Sequence, residues 1–104
     1  MIELLAKLII GHFLMDYPLQ GDHLAAAKNH RKPLPGVPWW IALIAHSSLQ
    51  AGMVWFVTGS KTMGLLEFFF HGVIDYAKND DRLTYGQDQA MHLICKFAYV
   101  MAMR

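Results

Sequence analysis

Apolar residues run through the chain in four long segments separated by short polar stretches. These segments cover residues 2–17, 38–58, 62–77 and 85–104. Each is long enough for several helical turns, and about twenty uncharged residues in a row, as in the second segment, can cross a bilayer. The pattern predicts an all-α protein in which residues 1–104 form one domain, an antiparallel four-helix transmembrane bundle.

Breakers and capping residues indicate where these helices begin and end. Pro18 disfavours helical geometry in the residue before it and is predicted to end the first helix, whereas Pro38 suits the first turn of the second. Residues 59–61 are expected to form a tight turn. Thr84, followed three residues later by Gln87, forms a capping-box pattern that predicts the start of the fourth helix.

The polar stretch between the first two helices contains one further predicted element. Asp22 is expected to cap a short amphipathic helix that continues through Asn29 and lies at the membrane surface. His23 and His30 lie in this stretch and are expected to be solvated. The bundle is therefore predicted to carry a short amphipathic helix between helices one and two.

Composition favours lipid as the surrounding solvent. Charged residues make up 16% of the chain and hydrophobic residues 55%, whereas soluble domains have roughly 25% charged residues. The formal net charge of +1 excludes an electrostatic surface for nucleic acid. The expected partners are the lipid bilayer and either a membrane protein or a second copy of the chain.

The distribution of positive charges predicts an orientation. Five lie near the loops after helices one and three, and three lie towards the opposite side. The first set is Lys28, Arg31, Lys32, Lys78 and Arg82, and the second is Lys7, Lys61 and Arg104. By the positive-inside rule the two polar loops are cytoplasmic and both termini lie on the other side.

Three of the four helices carry a histidine and an aspartate four residues apart. The pairs are His12 with Asp16, His71 with Asp75 and, in reverse order, Asp88 with His92. Four residues make just over one turn, so each pair shares a helix face. Helix two adds His46. Counted from the polar loops, all four histidines lie about 8 to 12 Å deep at 1.5 Å per residue, so we expect them to converge at one level.

Four imidazoles and three carboxylates are suitable ligands for a divalent metal such as Zn, Mn or Fe. Because ionisable groups are costly in lipid, they should face the bundle interior. The predicted ligands are His12, Asp16, His46, His71, Asp75, Asp88 and His92. One ion or two would fit. A metal-free hydrogen-bond or proton-relay network, or a purely structural arrangement, are the alternatives.

Three residues on the same helix faces are candidates for catalysis. Asp16 or Glu67 would act as a base, and Lys78 would hold an anionic substrate group or, alternatively, extend its ammonium to the membrane surface.

Several motifs resemble those of a known family. They are Gly11-His12-Phe13-Leu14-Met15-Asp16 with Leu19-Gln20 and Lys28, then Ala45-His46, Phe70-His71-Gly72-Val73-Ile74-Asp75-Tyr76-Ala77-Lys78 and Asp88-Gln89-Ala90-Met91-His92. In this order they resemble a family of small bacterial and phage membrane proteins, domain of unknown function 3307. The resemblance covers nearly the whole chain. It implies a multi-pass protein of the bacterial inner membrane, with periplasmic termini if the charge bias holds.

A more distant similarity is to predicted membrane-bound metal-dependent hydrolases, whose helices also carry His and Asp pairs. This similarity is one of fold and motif type only. His23 departs from the family pattern, which has an apolar or aromatic residue after Gln20-Gly21-Asp22.

Three functions follow from the sequence. The first is a phage or bacterial membrane protein that acts through a membrane partner or as a structural component. The second is a membrane-embedded metal-dependent hydrolase acting on a lipid or a membrane-anchored phosphate or ester. The third is metal or proton translocation, which requires a polar path to the other face of the membrane.

Overall fold

The computed structural model describes residues 1–17 and 20–103, and within these ranges the chain forms five helices and no strand. The helices are α1 (Ile2–Asp16), α2 (Gly21–Ala27), α3 (Trp39–Thr58), α4 (Lys61–Asn79) and α5 (Tyr85–Ala102). The all-α prediction is confirmed, including a short helix between the first two long ones. The predicted helix end at Pro18 and the charge of Arg104 lie outside the described residues.

Local sequence accounts for most of the helix ends. Thr84 and Gln87 form the predicted capping box at the start of α5. Gly59 ends α3 with a positive φ of 72°, which glycine adopts without strain. The start of α2 differs from the prediction: Gln20 is its N-cap, and Asp22 lies in the first turn, where its negative charge still favours the helix N-terminus.

The four long helices form a closed ring. α1 packs against α3 and α5, and α4 also packs against α3 and α5. The short α2 lies against α3. The bundle measures 44 × 23 × 22 Å, so it is an elongated cylinder with the long helices along its length.

Small residues bring α3 and α4 close together. A Cβ atom added to Gly64 would lie 3.1 Å from the backbone oxygen of Ala51, and one added to Gly72 would lie 3.2 Å from Oγ of Ser47. Backbones can approach in this way only where side chains are absent, as is typical of helix pairs in membranes.

The interior of the bundle is polar along much of its length. Its buried polar residues are His12, His46, Ser47, Gln50, Glu67, His71, Asp75, Asn79, Asp88, His92 and Lys96. An apolar core fills another part of the interior and consists of Leu8, Met53, Val54, Tyr99 and Val100. Large apolar side chains lie on the outside of all four long helices. Over this part of the bundle, polar groups therefore lie inside and large apolar side chains lie outside.

Among the described residues, α3 alone is both long and apolar enough to cross a membrane by length and composition. One such helix is weak evidence, because the core helix of a soluble protein has the same properties. The prediction of four transmembrane spans therefore stays a prediction.

The α3–α4 contact can be tested at Gly64. We expect Gly64→Leu to lower the stability of the purified protein by about 1–3 kcal/mol, because the added side chain meets backbone that cannot yield. Gly52→Leu is the matched control, since nothing lies within 4 Å of a Cβ there. Thermal unfolding in detergent measures both. Equal stability of the two variants would contradict this packing.

Candidate metal centre

The structure brings all seven predicted ligands together inside the bundle. The ring centroids of His71 and His92 are 3.9 Å apart and the rings are stacked. Those of His46 and His71 are 4.8 Å apart, and those of His12 and His92 are 5.2 Å apart. The four histidines, one from each long helix, thus lie at one level, as their spacing predicts.

Four of the ligand atoms form a compact group. They are Oδ1 of Asp16, Nε2 of His46, Nε2 of His71 and Oδ2 of Asp75, contributed by α1, α3 and α4. Nε2 of His46 lies 3.0 Å from Nε2 of His71, 3.0 Å from the Asp16 oxygen and 3.4 Å from the Asp75 oxygen. Nε2 of His71 lies 3.7 Å and 3.3 Å from the same two oxygens.

These five distances, 3.0–3.7 Å, lie on either side of the edge length of a metal coordination tetrahedron. With metal–ligand bonds of about 2.0–2.1 Å, as zinc makes to imidazole and carboxylate, the ligand atoms are about 3.3–3.4 Å apart. Hydrogen bonds alone satisfy this group poorly, since both carboxylate oxygens accept and each neutral imidazole carries a single proton. The donor set therefore fits a divalent transition metal.

All four imidazoles make their contacts in the cluster through Nε2. Their Nδ1 atoms are buried and have no hydrogen-bond partner within the described ranges. For His71, Oε2 of Glu67 lies 4.0 Å from Nδ1, beyond hydrogen-bonding distance. The rings are therefore oriented by the carboxylates and amides inside the cluster.

Residues outside the predicted ligand set complete the cluster. Nζ of Lys28, at the end of α2, donates to Oδ2 of Asp75 at 2.8 Å, and Asn79 donates to the Lys28 backbone oxygen. The side-chain amides of Gln50 and Gln89 donate to the Asp16 carboxylate at 3.0 and 3.1 Å. Lys28 thus places a positive charge on a predicted metal ligand.

A polar cavity of about 420 Å³ opens beside the cluster at the end of the bundle where α2 lies. We name it the vestibule. Its lining includes Asp16, Asp75, Asp88, Lys28, Lys78, Tyr17 and Tyr85. The carboxylates line it and the histidines lie behind them. The cluster is therefore accessible to a polar ligand from this end.

The three candidate catalytic residues have different surroundings. Asp16 and Lys78 both line the vestibule. Glu67 does not: it is buried behind His71, paired with Lys96 of α5, and Oε1 lies 3.4 Å from the hydroxyl of Tyr99. The geometry therefore does not support Glu67 as a catalytic base. Its carboxylate is paired with the ammonium of Lys96 and lies away from the vestibule.

An ionic contact holds the loop after α2 against the end of α4. Asp80 accepts hydrogen bonds from Arg82 at 2.8 Å and Arg31 at 2.9 Å, and these cations hold the pKa of its carboxyl well below the usual range. His30, expected to be solvated, instead stacks on Tyr76 with ring centroids 3.9 Å apart and contacts Asp80. His23 is exposed, as expected.

Fold and site together define an all-helical protein with a buried His/Asp cluster open to one end of the bundle. The chain belongs to the family described as "Protein of unknown function (DUF3307)", whose model matches residues 4–103. No curated protein and no solved structure matches the chain.

The buried pair of Glu67 and Lys96 generates a stability prediction. We expect Lys96→Met to cost about 3–5 kcal/mol, because it leaves a buried carboxylate without its cation. The double variant Glu67→Gln, Lys96→Met should recover most of that loss. Lys7→Met is the control, since Lys7 is exposed and its pairing with Glu3 contributes little. Thermal unfolding in detergent measures all three, and an unchanged Lys96→Met variant would contradict the pairing.

Proposed function

We propose that this chain is a membrane-embedded metalloprotein that binds a divalent transition metal between its helices and uses it to hydrolyse a phosphate or ester group at the membrane surface. The observation that carries the proposal is the group formed by Asp16, His46, His71 and Asp75, whose measured ligand-to-ligand distances are 3.0–3.7 Å. Separate observations support the membrane location, the bound metal and the hydrolytic activity.

The outward-facing side chains support residence in a membrane. Each long helix exposes large apolar residues, for example Ile10 on α1 (67% exposed), Phe56 on α3 (89%), Leu65 on α4 (72%) and Ile94 on α5 (64%). Lipid suits such a surface, and it also explains why the charged groups face inward and pair with one another. The bundle length of 44 Å is close to the thickness of a bilayer with its headgroups, about 40–45 Å.

Mean hydropathy over a whole helix understates how well α4 and α5 suit a membrane, because their charged groups lie inside the bundle. α4 buries Glu67 and Asp75, and α5 buries Asp88 and Lys96. An average over the helix counts these residues although they do not meet lipid. α1 differs in length: its fifteen residues extend about 22 Å, which a locally thinned bilayer accommodates.

The four-span arrangement makes a topology prediction. In a Cys95→Ser background, single cysteines replace Asp81, between α4 and α5, and Lys61, the first residue of α4 after the turn from α3. With the polar loops in the cytoplasm, we expect a membrane-impermeant maleimide to label Lys61→Cys in intact cells and Asp81→Cys only after permeabilisation. Labelling of both from one side would contradict the four-span bundle, and extraction of the protein by alkaline carbonate would contradict membrane insertion altogether.

Charge balance supports the metal. Asp16, Asp75 and Asp88 are three carboxylates in one cluster, and Lys28 is the cation that contacts them. With neutral imidazoles this leaves a formal charge of −2 in the interior, which is costly in a low-dielectric environment. One divalent ion neutralises it.

The vestibule supports hydrolysis. A bound divalent ion polarises a phosphoryl or carbonyl oxygen and lowers the pKa of a bound water. Lys28 and Lys78 line the same cavity and present positive charge to an anionic group. Asp88 also lines it and lies outside the group of Asp16, His46, His71 and Asp75, so in the mononuclear centre its carboxylate would accept a proton from water. A substrate would enter from the bundle end, which suits a lipid headgroup or a membrane-anchored phosphate.

A non-enzymatic role is the second candidate. The same cluster contains contacts that need no ion, including those of His46 with Asp16 and of His92 with Asp75, both at 3.0 Å. Such a network would set the helix register of a protein that acts through a membrane partner. Metal content separates the two candidates.

The interior of the bundle supports transport of a metal ion or a proton less well than it supports the other two functions. Away from the vestibule, the polar cluster is followed by the Glu67 and Lys96 pair and then by the apolar core around Leu8, Val54 and Val100. Among the described residues of this core, only Tyr99 carries a polar side-chain group, and its hydroxyl donates to Glu67, so the core provides no series of polar groups that leads a metal ion or a proton to the other end. We therefore do not propose a transport function.

Metal analysis tests the proposed function. We expect detergent-purified protein to hold near-stoichiometric Zn, Mn or Fe by mass spectrometry, and His71→Ala to reduce its metal affinity at least tenfold. His23→Ala, an exposed histidine outside the cluster, should retain wild-type metal content. Hydrolysis of phospholipid and lipid-linked phosphate substrates should follow the metal content.

Two results would contradict the proposal in different ways. Wild-type protein that binds no metal after reconstitution would exclude the metal centre and favour the structural network. Full metal content without hydrolysis of any substrate of these classes would exclude the enzymatic part and leave a metal-binding protein with a membrane partner.

A further inference from the structure

Asp16 and Asp75 each direct their two carboxylate oxygens towards different histidines. Oδ1 of Asp16 and Oδ2 of Asp75 belong to the group with His46 and His71. The opposite oxygens face the other two imidazoles: Oδ2 of Asp16 is 3.5 Å from Nε2 of His12, and Oδ1 of Asp75 is 3.0 Å from Nε2 of His92. Both carboxylates thus connect two sets of ligands.

The second set contains one more carboxylate that lacks a full complement of partners. Oδ1 of Asp88 is buried and accepts no hydrogen bond within the described ranges, although it lies 3.3 Å from Nε2 of His92. Asp88 itself is 5% exposed. A buried carboxylate oxygen without a hydrogen-bond partner requires an explanation, and a bound cation provides one.

The amide of Gln89 occupies the middle of this second set. Its nitrogen donates to Oδ2 of Asp16 and to Oδ2 of Asp88, both at 3.1 Å, and its oxygen lies 3.0 Å from Nε2 of His12. The partly positive amide nitrogen of Gln89 thus links the carboxylates of Asp16 and Asp88, next to the imidazoles of His12 and His92. A cation would make the same contacts with greater energy, because it carries a full charge.

The two sets are close enough to act on one substrate. His71 of the first set and His92 of the second are stacked with centroids 3.9 Å apart, and Asp16 and Asp75 belong to both sets. Metal ions that share carboxylate ligands in hydrolytic centres are typically about 3.5–4 Å apart. Three carboxylates, Lys28 and two divalent ions leave a charge of +2, which an anionic substrate in the vestibule would offset.

We propose that the cluster is a dinuclear metal centre. The first ion is held by His46 and His71, the second by His12, His92 and Asp88, and Asp16 and Asp75 bridge them. This inference rests on the proposed function, and it defines the substrate class more narrowly: two adjacent ions that both face the vestibule suit a phosphate ester, whose oxygens can bind both ions at once.

Metal stoichiometry in the detergent-purified chain of residues 1–104 tests the dinuclear centre. The protein is stripped with chelator, reconstituted with Mn²⁺ alone, freed of excess ion and analysed by mass spectrometry and electron paramagnetic resonance. We expect two equivalents per chain and the spectrum of an exchange-coupled pair. Asp88→Asn and His12→Ala should each retain one equivalent and an uncoupled spectrum, and the His23→Ala control should keep two.

The outcomes separate this inference from the proposed function. One equivalent in the wild type, with an uncoupled spectrum, would overturn the second ion and leave the mononuclear centre standing. No bound Mn²⁺, and none with Zn²⁺ in a parallel sample, would overturn both. Because Asp88→Asn keeps the size of the side chain, and because its retained equivalent reports an intact first set, loss of folding cannot imitate the expected result.

Discussion

Three carboxylates buried in one layer of a helical bundle are the constraint on which the rest of this structure depends. Asp75 and Asp88 are nearly inaccessible, and Asp16 is only slightly more exposed. Unpaired, each would cost several kcal/mol in such an environment. Their compensation requires an imidazole from every long helix, two side-chain amides and Lys28, so the relative positions of all four helices follow from one electrostatic requirement.

The position of α2 follows from the same requirement. This short helix ends at Lys28, whose ammonium reaches Asp75, and the loop beyond it is held to α4 by Asp80. α2 therefore closes one side of the vestibule and supplies one of its two lysines. This short helix thus contributes directly to the site, at the entrance through which the proposed substrate would pass.

Polar and apolar residues are separated between the two faces of each long helix, and not between one helix and another. The inner faces carry the ionisable groups and the outer faces carry side chains such as Phe56 and Leu65, so among the described residues whole-helix averages identify α3 alone as a candidate membrane span. The close contact of α3 with α4 at Gly64 and Gly72 would suit the proposed membrane location, because association in lipid depends on close packing and polar contacts more than on burial of apolar surface.

Helix periodicity was enough to predict much of the fold and of the site. The spacing of His12 and Asp16, and of the two matching pairs, determines which side chains share a face, and Thr84 with Gln87 determines where α5 begins. These are local properties, set by the rise and turn of one helix. Contacts between helices were decided by the tertiary structure alone: the pairing of Glu67 with Lys96, the reach of Lys28 to Asp75, the stacking of His30 on Tyr76 and the assignment of each carboxylate oxygen to its histidine. They depend on the rotation and axial shift of one helix against another, which arise from packing over the whole bundle and leave no periodic signal in the chain.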